Sequence, residues 1–297
     1  LALYELAYSL LEQKEYARAL ETATRGTRYR SGQLAMFYDL MGSAHDLMGE
    51  PQKAVETYTR GIAAVPDSAT LYYNRGVTEL ESLKDPVAAR RSFEQALIIE
   101  PLQPSAHLML GQLFQSNGYP VPGFFAFSMA LLLEPGGPQA LRAYGFMRTI
   151  LRGGLSNDPN APANQMVQAG GMRPRTGAAK TDEGDYAALE ALLAPGHQRL
   201  LKQLDEGTPE LTLLVQQVDG LLTAVAARDR TNDRGTFTGG RYVPFFAELK
   251  AKGYVEPFVY WSVQRSPLQG AREWVRANEP KVKEFLGWAS TYSWPAR

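Results

Sequence analysis

The sequence has no cysteine and three histidines among 297 residues. Without thiols there is no disulfide, no thiolate zinc site and no cysteine nucleophile. A thiol-free chain fits any compartment, cytoplasmic or periplasmic, with a lean toward export, where stray thiols are a liability. Charge of one sign is also lacking, since 31 Lys+Arg balance 31 Asp+Glu. Binders of nucleic acid need a cationic surplus to displace counterions, so no nucleic-acid partner is expected. No apolar run approaches the roughly 18 residues that cross a bilayer. The longest, around Phe124–Leu133, ends at Glu134-Pro135, so no membrane insertion is expected. The chain starts at Leu1, not Met, so any targeting segment has been removed or is not part of this sequence.

Signatures of catalysis and of cofactors are missing as well. There is no HExxH, no GxxxxGK[ST], no GxSxG and no strand–GxGxxG–helix unit. The segment Asp229–Gly235 has the acidic look of a calcium loop, but its sixth place is Arg234 where glycine is required. It reads as a solvated turn. His45 and His107 fall on or beside apolar stripes and read as structural, and His197 follows a Pro-Gly break with no patterned carboxylate. The expectation is a chain without metal, cofactor or catalytic residues.

What is present is a repeat. "ARALETATRG" (Ala17–Gly26) and "QKAVETYTRG" (Gln52–Gly61) align 35 residues apart, and prolines close units at Pro66, Pro101 and Pro135. Gly42, Gly76 and Gly111 form a parallel series. Within each unit the spacings of three and four predict two helices with a shared apolar stripe. One helix carries Tyr38, Met41, Gly42 and His45, and its partner Ala54, Tyr58 and Gly61. The next units use Tyr72, Gly76, Ala89, Phe93 and Ala96, then Leu110, Gly111, Phe114, Gly123, Phe127 and Ala130. A weaker first unit has Leu3, Leu6, Ala7, Leu10, Ala19, Ala23 and Gly26, with Ser31 in the proline's place. Leu141, Tyr144 and Gly145 read as one further helix. The small residue lets the helices approach, and an aromatic ring fills the space beside it.

This pattern resembles the tetratricopeptide repeat (TPR) family, whose unit is a 34-residue helix–turn–helix. The resemblance covers about residues 1–152 and implies an all-α fold: a TPR-type solenoid of about four repeats plus a helix, followed by a helical C-terminal domain. Residues 153–183 are rich in Gly, Pro, Asn and Ala and read as a linker, or as a strap anchored by Met166, Val167 and Met172. Residues 184–297 return to helical periodicity. Asp185 caps a helix interrupted at Pro195-Gly196, and another begins at Thr208-Pro209-Glu210. The segment from Asp229 to Gly240 reads as a polar loop, and four short helices follow it. All four tryptophans lie after Tyr260, in an aromatic population that reads as core. This block is similar to the tail of bacterial TPR proteins.

In the family, the first helices line a concave groove that binds peptides or helices of other proteins. Carried over, the groove places here are Tyr4, Tyr8 and Leu11; Met36, Asp39, Ser43 and Asp46; Thr70, Tyr73, Val77 and Leu80; Ser105, Leu108, Gln112 and Gln115; and Arg142 and Phe146. The family's chaperone-binding branch holds a terminal carboxylate with Lys, Asn and Arg, which are mostly absent from these places. The resemblance implies a non-catalytic adaptor or scaffold whose groove takes a protein segment with apolar anchors and a basic residue near the aspartates. Two alternatives stay open. The chain's own linker or C-terminal helices could fill the groove, or the C-terminal domain could be an enzyme or small-ligand module docked by the repeats.

Overall fold

The computed structural model describes residues 2–29, 32–152, 186–228 and 235–295. The expected linker or strap with Met166, Val167 and Met172, the Asp185 cap, the Asp229–Arg234 turn, Ser31 and the His197 side chain lie outside the described residues. Every described element is helical. The chain divides into two compact units, Leu1–Ala106 and His107–Arg297.

In the first unit, helices come in pairs: α1 (Ala2–Glu12) with α2 (Tyr16–Gly26), α3 (Leu34–Leu47) with α4 (Pro51–Ala64), and α5 (Ala69–Glu81) with α6 (Pro86–Ile99). Proline opens α4 and α6, where its missing N–H costs nothing. Each helix packs on the next, and α1, α3 and α5 also touch each other in turn. The packing is a notch filled by a ring. A Cβ on Gly42 would lie 2.5 Å from Tyr58 Cε1, and a Cβ on Gly76 would lie 2.8 Å from Phe93 Cε1. Gly61 on the second helix receives Tyr38 and Leu71 in the same way. Leu6, assigned above to the packing stripe, is instead half-exposed, because Ala7 and Leu10 face the core and Leu6 points away from them.

A second ladder was hidden in the sequence. The turns inside the pairs each hold one left-handed residue: Lys14 (φ 62°), Gly49 (φ 76°), Lys84 (φ 56°) and, in the second unit, Gly118 (φ 76°). The shared conformation falls on glycine twice and lysine twice, so composition does not reveal it.

The second unit contains most of α7 (Pro104–Ser116), then α8 (Pro120–Leu133), α9 (Ala140–Leu151), α10 (Ala187–Asp205), α11 (Glu210–Ala227), α12 (Val243–Ala251), α13 (Val255–Val263), α14 (Ala271–Ala277) and α15 (Glu279–Ser290). The notch recurs where Gly111 meets the Phe127 ring. Every residue of α8 from Val121 to Leu132 is buried, because α9, α10 and α13 surround it. A helix apolar on all sides must be covered on all sides. Phe125 stacks on Phe246 at 4.9 Å, Trp261 Nε1 donates to the Leu132 carbonyl at 2.9 Å, and His107 Nδ1 lies 2.8 Å from Tyr242 Oη. His107 is therefore structural, within the core of this unit.

Two local expectations change. Helix α10 runs through Pro195 without interruption, because its contacts with α8, α9 and α11 outweigh the local break. The end of the expected polar loop is a buried π-helical turn, Thr238–Tyr242, leading into α12. Pro244 has no N–H to offer the Gly240 carbonyl, and the Val243 N–H reaches back five residues to Thr238.

Candidate functional site

The first helices α1, α3 and α5 hold eleven of the expected groove residues within one unit. Tyr4 is half-buried, stacked on Tyr8 at 6.2 Å and edge-on to Phe37 at 6.3 Å. Tyr8 is 46% exposed and Met36 39%, and Thr70 is exposed. These form the open part of the face. Tyr73, Val77 and Leu80 are half-buried on α5, with the Tyr73 ring tilted against Phe93 at 5.7 Å. Burial raises the Tyr73 pKa above the ordinary phenol value, opposed by a hydrogen bond with the Ser105 side chain.

The polar groups lie between these apolar ones. Asn74 Nδ2 donates to Asp39 Oδ1 at 2.5 Å, and Thr78 Oγ1 donates to Asp46 Oδ2 at 2.8 Å. Both bonds join α3 to α5. Ser43 Oγ and Tyr58 Oη share a hydrogen bond of 3.2 Å. Neither aspartate forms an ion pair among the described residues. Burial raises the Asp39 carboxyl above its usual range, and the Asn74 hydrogen bond only partly offsets this. Asp39 also helps raise the buried Tyr58 phenol, after desolvation as the main cause.

The aspartates therefore do two things at once. They clip adjacent repeats together, and they leave negative charge on the face with no cation beside it. Sequence reading named Asp39 and Asp46 but not Asn74 and Thr78, which hydrogen-bond to them. The available signal was their place on the next first helix, 35 and 32 residues on.

Ser105, at the start of α7, still belongs to the first unit, and the other expected residues belong to the second. Leu108 is 4% exposed and Gln115 5%, so neither offers free surface, and the expectation that they line an open groove is corrected. On α7 the periodicity that marks a groove place also marks an inward one when a further layer covers the helix. Gln112 is half-buried. Arg142 is exposed and donates to Gln139 Oε1 at 3.2 Å, while Phe146 stacks on Phe127 at 4.9 Å.

No group of three or more His, Asp or Glu that could hold a metal occurs among the described residues. No described helix is long and apolar enough to cross a membrane.

Comparison with known proteins adds the following. A family model described as tetratricopeptide repeat matches residues 40–104. None of the curated proteins matches. A crystal structure of a tetratricopeptide repeat protein from Parabacteroides merdae ATCC 43184 aligns over 96% of this chain and 98% of that one, at 11% identity and a TM-score of 0.44. That likeness is too low to bear on the reading of this chain.

Proposed function

We propose that this chain, whose residues 40–104 match a family model described as tetratricopeptide repeat, is a non-catalytic adaptor. The face formed by α1, α3 and α5 takes a segment of another protein. That segment carries an aliphatic or aromatic anchor for Tyr8 and Met36 and a Lys or Arg for Asp39 and Asp46. The observation that carries this reading is the pair of aspartates without a cation, set beside half-open apolar side chains.

The physical case rests on a cost. A carboxylate held above its ordinary pKa by burial lowers stability at neutral pH, and a cation brought by a partner would offset that penalty. Covering the remaining surface of Tyr8 and Met36 contributes on the order of 1 kcal/mol each. Such terms alone give weak binding, so the charge pair and several anchors must act together.

The test is selection of displayed peptides on the full chain, followed by titration of the winners. Enrichment of Lys or Arg flanked by large apolar residues is expected, with affinity reduced by Tyr8→Ser and Met36→Ser. Binding should also weaken as pH falls through the raised Asp39 pKa, because the protonated carboxyl no longer attracts a cation. Winners of no common chemistry, or winners indifferent to both substitutions, would remove this assignment.

A further inference from the structure

Beside Asp39 the α1–α3–α5 face offers aromatic rings as well as charge. The repeat of 35 residues puts Tyr4 on α1 at the place Asp39 holds on α3, and these two helices are in contact. The side chains share one neighbourhood: the Tyr4 ring meets Phe37 edge-on at 6.3 Å, and the Asp39 charge acts on the Tyr4 phenol. Tyr8, one turn further along α1, lies 25° from parallel with Tyr4 at 6.2 Å between centroids. An offset pair of this kind leaves part of each ring face open, and Tyr8 is 46% exposed. Phe37 is buried, so the ring at the edge of Tyr4 is itself fixed in the core.

The carboxylate has capacity left. Asp39 Oδ1 accepts from Asn74 on α5, while Oδ2 accepts no hydrogen bond from the described residues. No described Lys or Arg acts on this carboxyl, whose surroundings are felt as burial and the Asn74 hydrogen bond. Glu5 places a second negative charge near Tyr4. The neighbouring hydroxyls are engaged, Ser43 with Tyr58 and Thr78 with Asp46.

A half-buried carboxylate beside two tyrosine faces, with few open acceptors, suits one kind of cation. An ammonium is a strongly hydrated point charge and needs several acceptors to replace its water. A guanidinium is planar and more weakly hydrated, and it can lie on a ring while its edge donates to a carboxylate. Asp46 is a different place, because its counterpart on α1 is the aliphatic Leu11. We propose that the α1–α3 part of the face selects arginine over lysine. The guanidinium of a partner's arginine donates to Asp39 Oδ2 and lies on the Tyr4–Tyr8 pair, with the segment's apolar anchor on Met36. This inference rests on the adaptor reading and sharpens it by naming the basic residue that Asp39 receives.

The experiment pans displayed peptides with a fixed central arginine, and others with a fixed central lysine, on the full chain. The best binder is then synthesised with arginine, lysine or citrulline at its centre and titrated by calorimetry. The arginine form should bind about fivefold to tenfold more tightly than the lysine form, the difference being the ring contact. Citrulline keeps the plane without the charge and should bind at least about tenfold more weakly than arginine. Tyr8→Leu, at an exposed position, should leave the unliganded melt nearly unchanged and cut the arginine preference to about twofold or less. Tyr4→Leu should do the same to the preference, and Tyr4→Phe, which keeps a ring, should retain it. Arginine and lysine forms that bind equally, both weakened by Asp39→Asn, would overturn this proposal and leave the adaptor reading standing. A preference that survives both Tyr4→Leu and Tyr8→Leu, or citrulline bound as well as arginine, would also overturn it. No binder from either set of peptides would remove the adaptor reading and this inference together.

Discussion

Replacing Gly42 by alanine tests the notch on which the repeats are built. The new methyl would lie 2.5 Å from Cε1 and Cζ of Tyr58 and 2.8 Å from Cδ1, against about 3.4 Å for ordinary contact. The ring cannot simply retreat. Tyr58 is 2% exposed, and its hydroxyl is hydrogen-bonded to Ser43. Overpacking of this kind costs about 1–3 kcal/mol, and three ring atoms inside the limit place Gly42 in the upper half of that range. Alanine returns about 1 kcal/mol of helix propensity. The net expectation is a loss of roughly 1–2 kcal/mol by difference. Gly145 on α9 is the control, because a Cβ there meets nothing within 4 Å. Gly145→Ala should gain about 0.5–1 kcal/mol. Urea unfolding followed by far-ultraviolet circular dichroism reads both. Adding Tyr58→Leu, which removes the ring, should make the Gly42→Ala step close to neutral in a double-mutant cycle. If Gly42→Ala stabilises the protein as Gly145→Ala does, the ring-in-notch account of the stacking is wrong.

Lys84 holds a left-handed backbone that glycine adopts freely, so Lys84→Gly should raise stability by about 1 kcal/mol in the same urea assay. Tyr242→Phe removes the hydroxyl facing His107 Nδ1 inside the second unit, and a loss of about 1–3 kcal/mol is expected from thermal unfolding. Asp39→Asn keeps an oxygen for the Asn74 amide and removes the buried charge, so it should stabilise the protein at neutral pH. The sign follows from the raised pKa: the folded state holds that proton more tightly than the unfolded one, and the penalty exists only where the carboxyl is ionised. The advantage of Asp39→Asn should therefore shrink as pH falls through the raised value toward the ordinary 3.8, as followed by melts across pH.

The repeats were legible because stacking imposes a period on the chain. Gly42 with Tyr58, Gly76 with Phe93 and Gly111 with Phe127 are the same small–large pair, and each pairing is a real contact. Less was legible where the contact lay between units of the pattern. Asn74 and Thr78 belong to the face only through Asp39 and Asp46 on the preceding first helix, and a period alone does not say which polar side chains meet. The misassigned groove places, Leu108 and Gln115, fail for a related reason. Their stripe was read as if nothing covered the last full repeat, although "FFAFSMALLL" already had no polar side for α8 to show to water. Pro195 and Gly239-Gly240 misled locally, since long-range packing and the lack of an N–H on Pro244 settled those segments.

The two faces of the repeat follow opposite rules, and the difference points to function. At the notches every choice serves stability: a missing Cβ, a ring, no polar atom without a partner. On the α1–α3–α5 face the chain keeps a carboxylate in a place that resists its charge. A neutral amide would make the same clip to Asn74 without that penalty, so the clip alone does not account for an aspartate. The two roles can be separated in one variant. If Asp39 is there to meet a cation, Asp39→Asn must gain stability and lose affinity for basic peptides together. A variant that gains stability while binding those peptides unchanged would leave the charge without a role, and the face would have to recognise its partner by apolar contact alone.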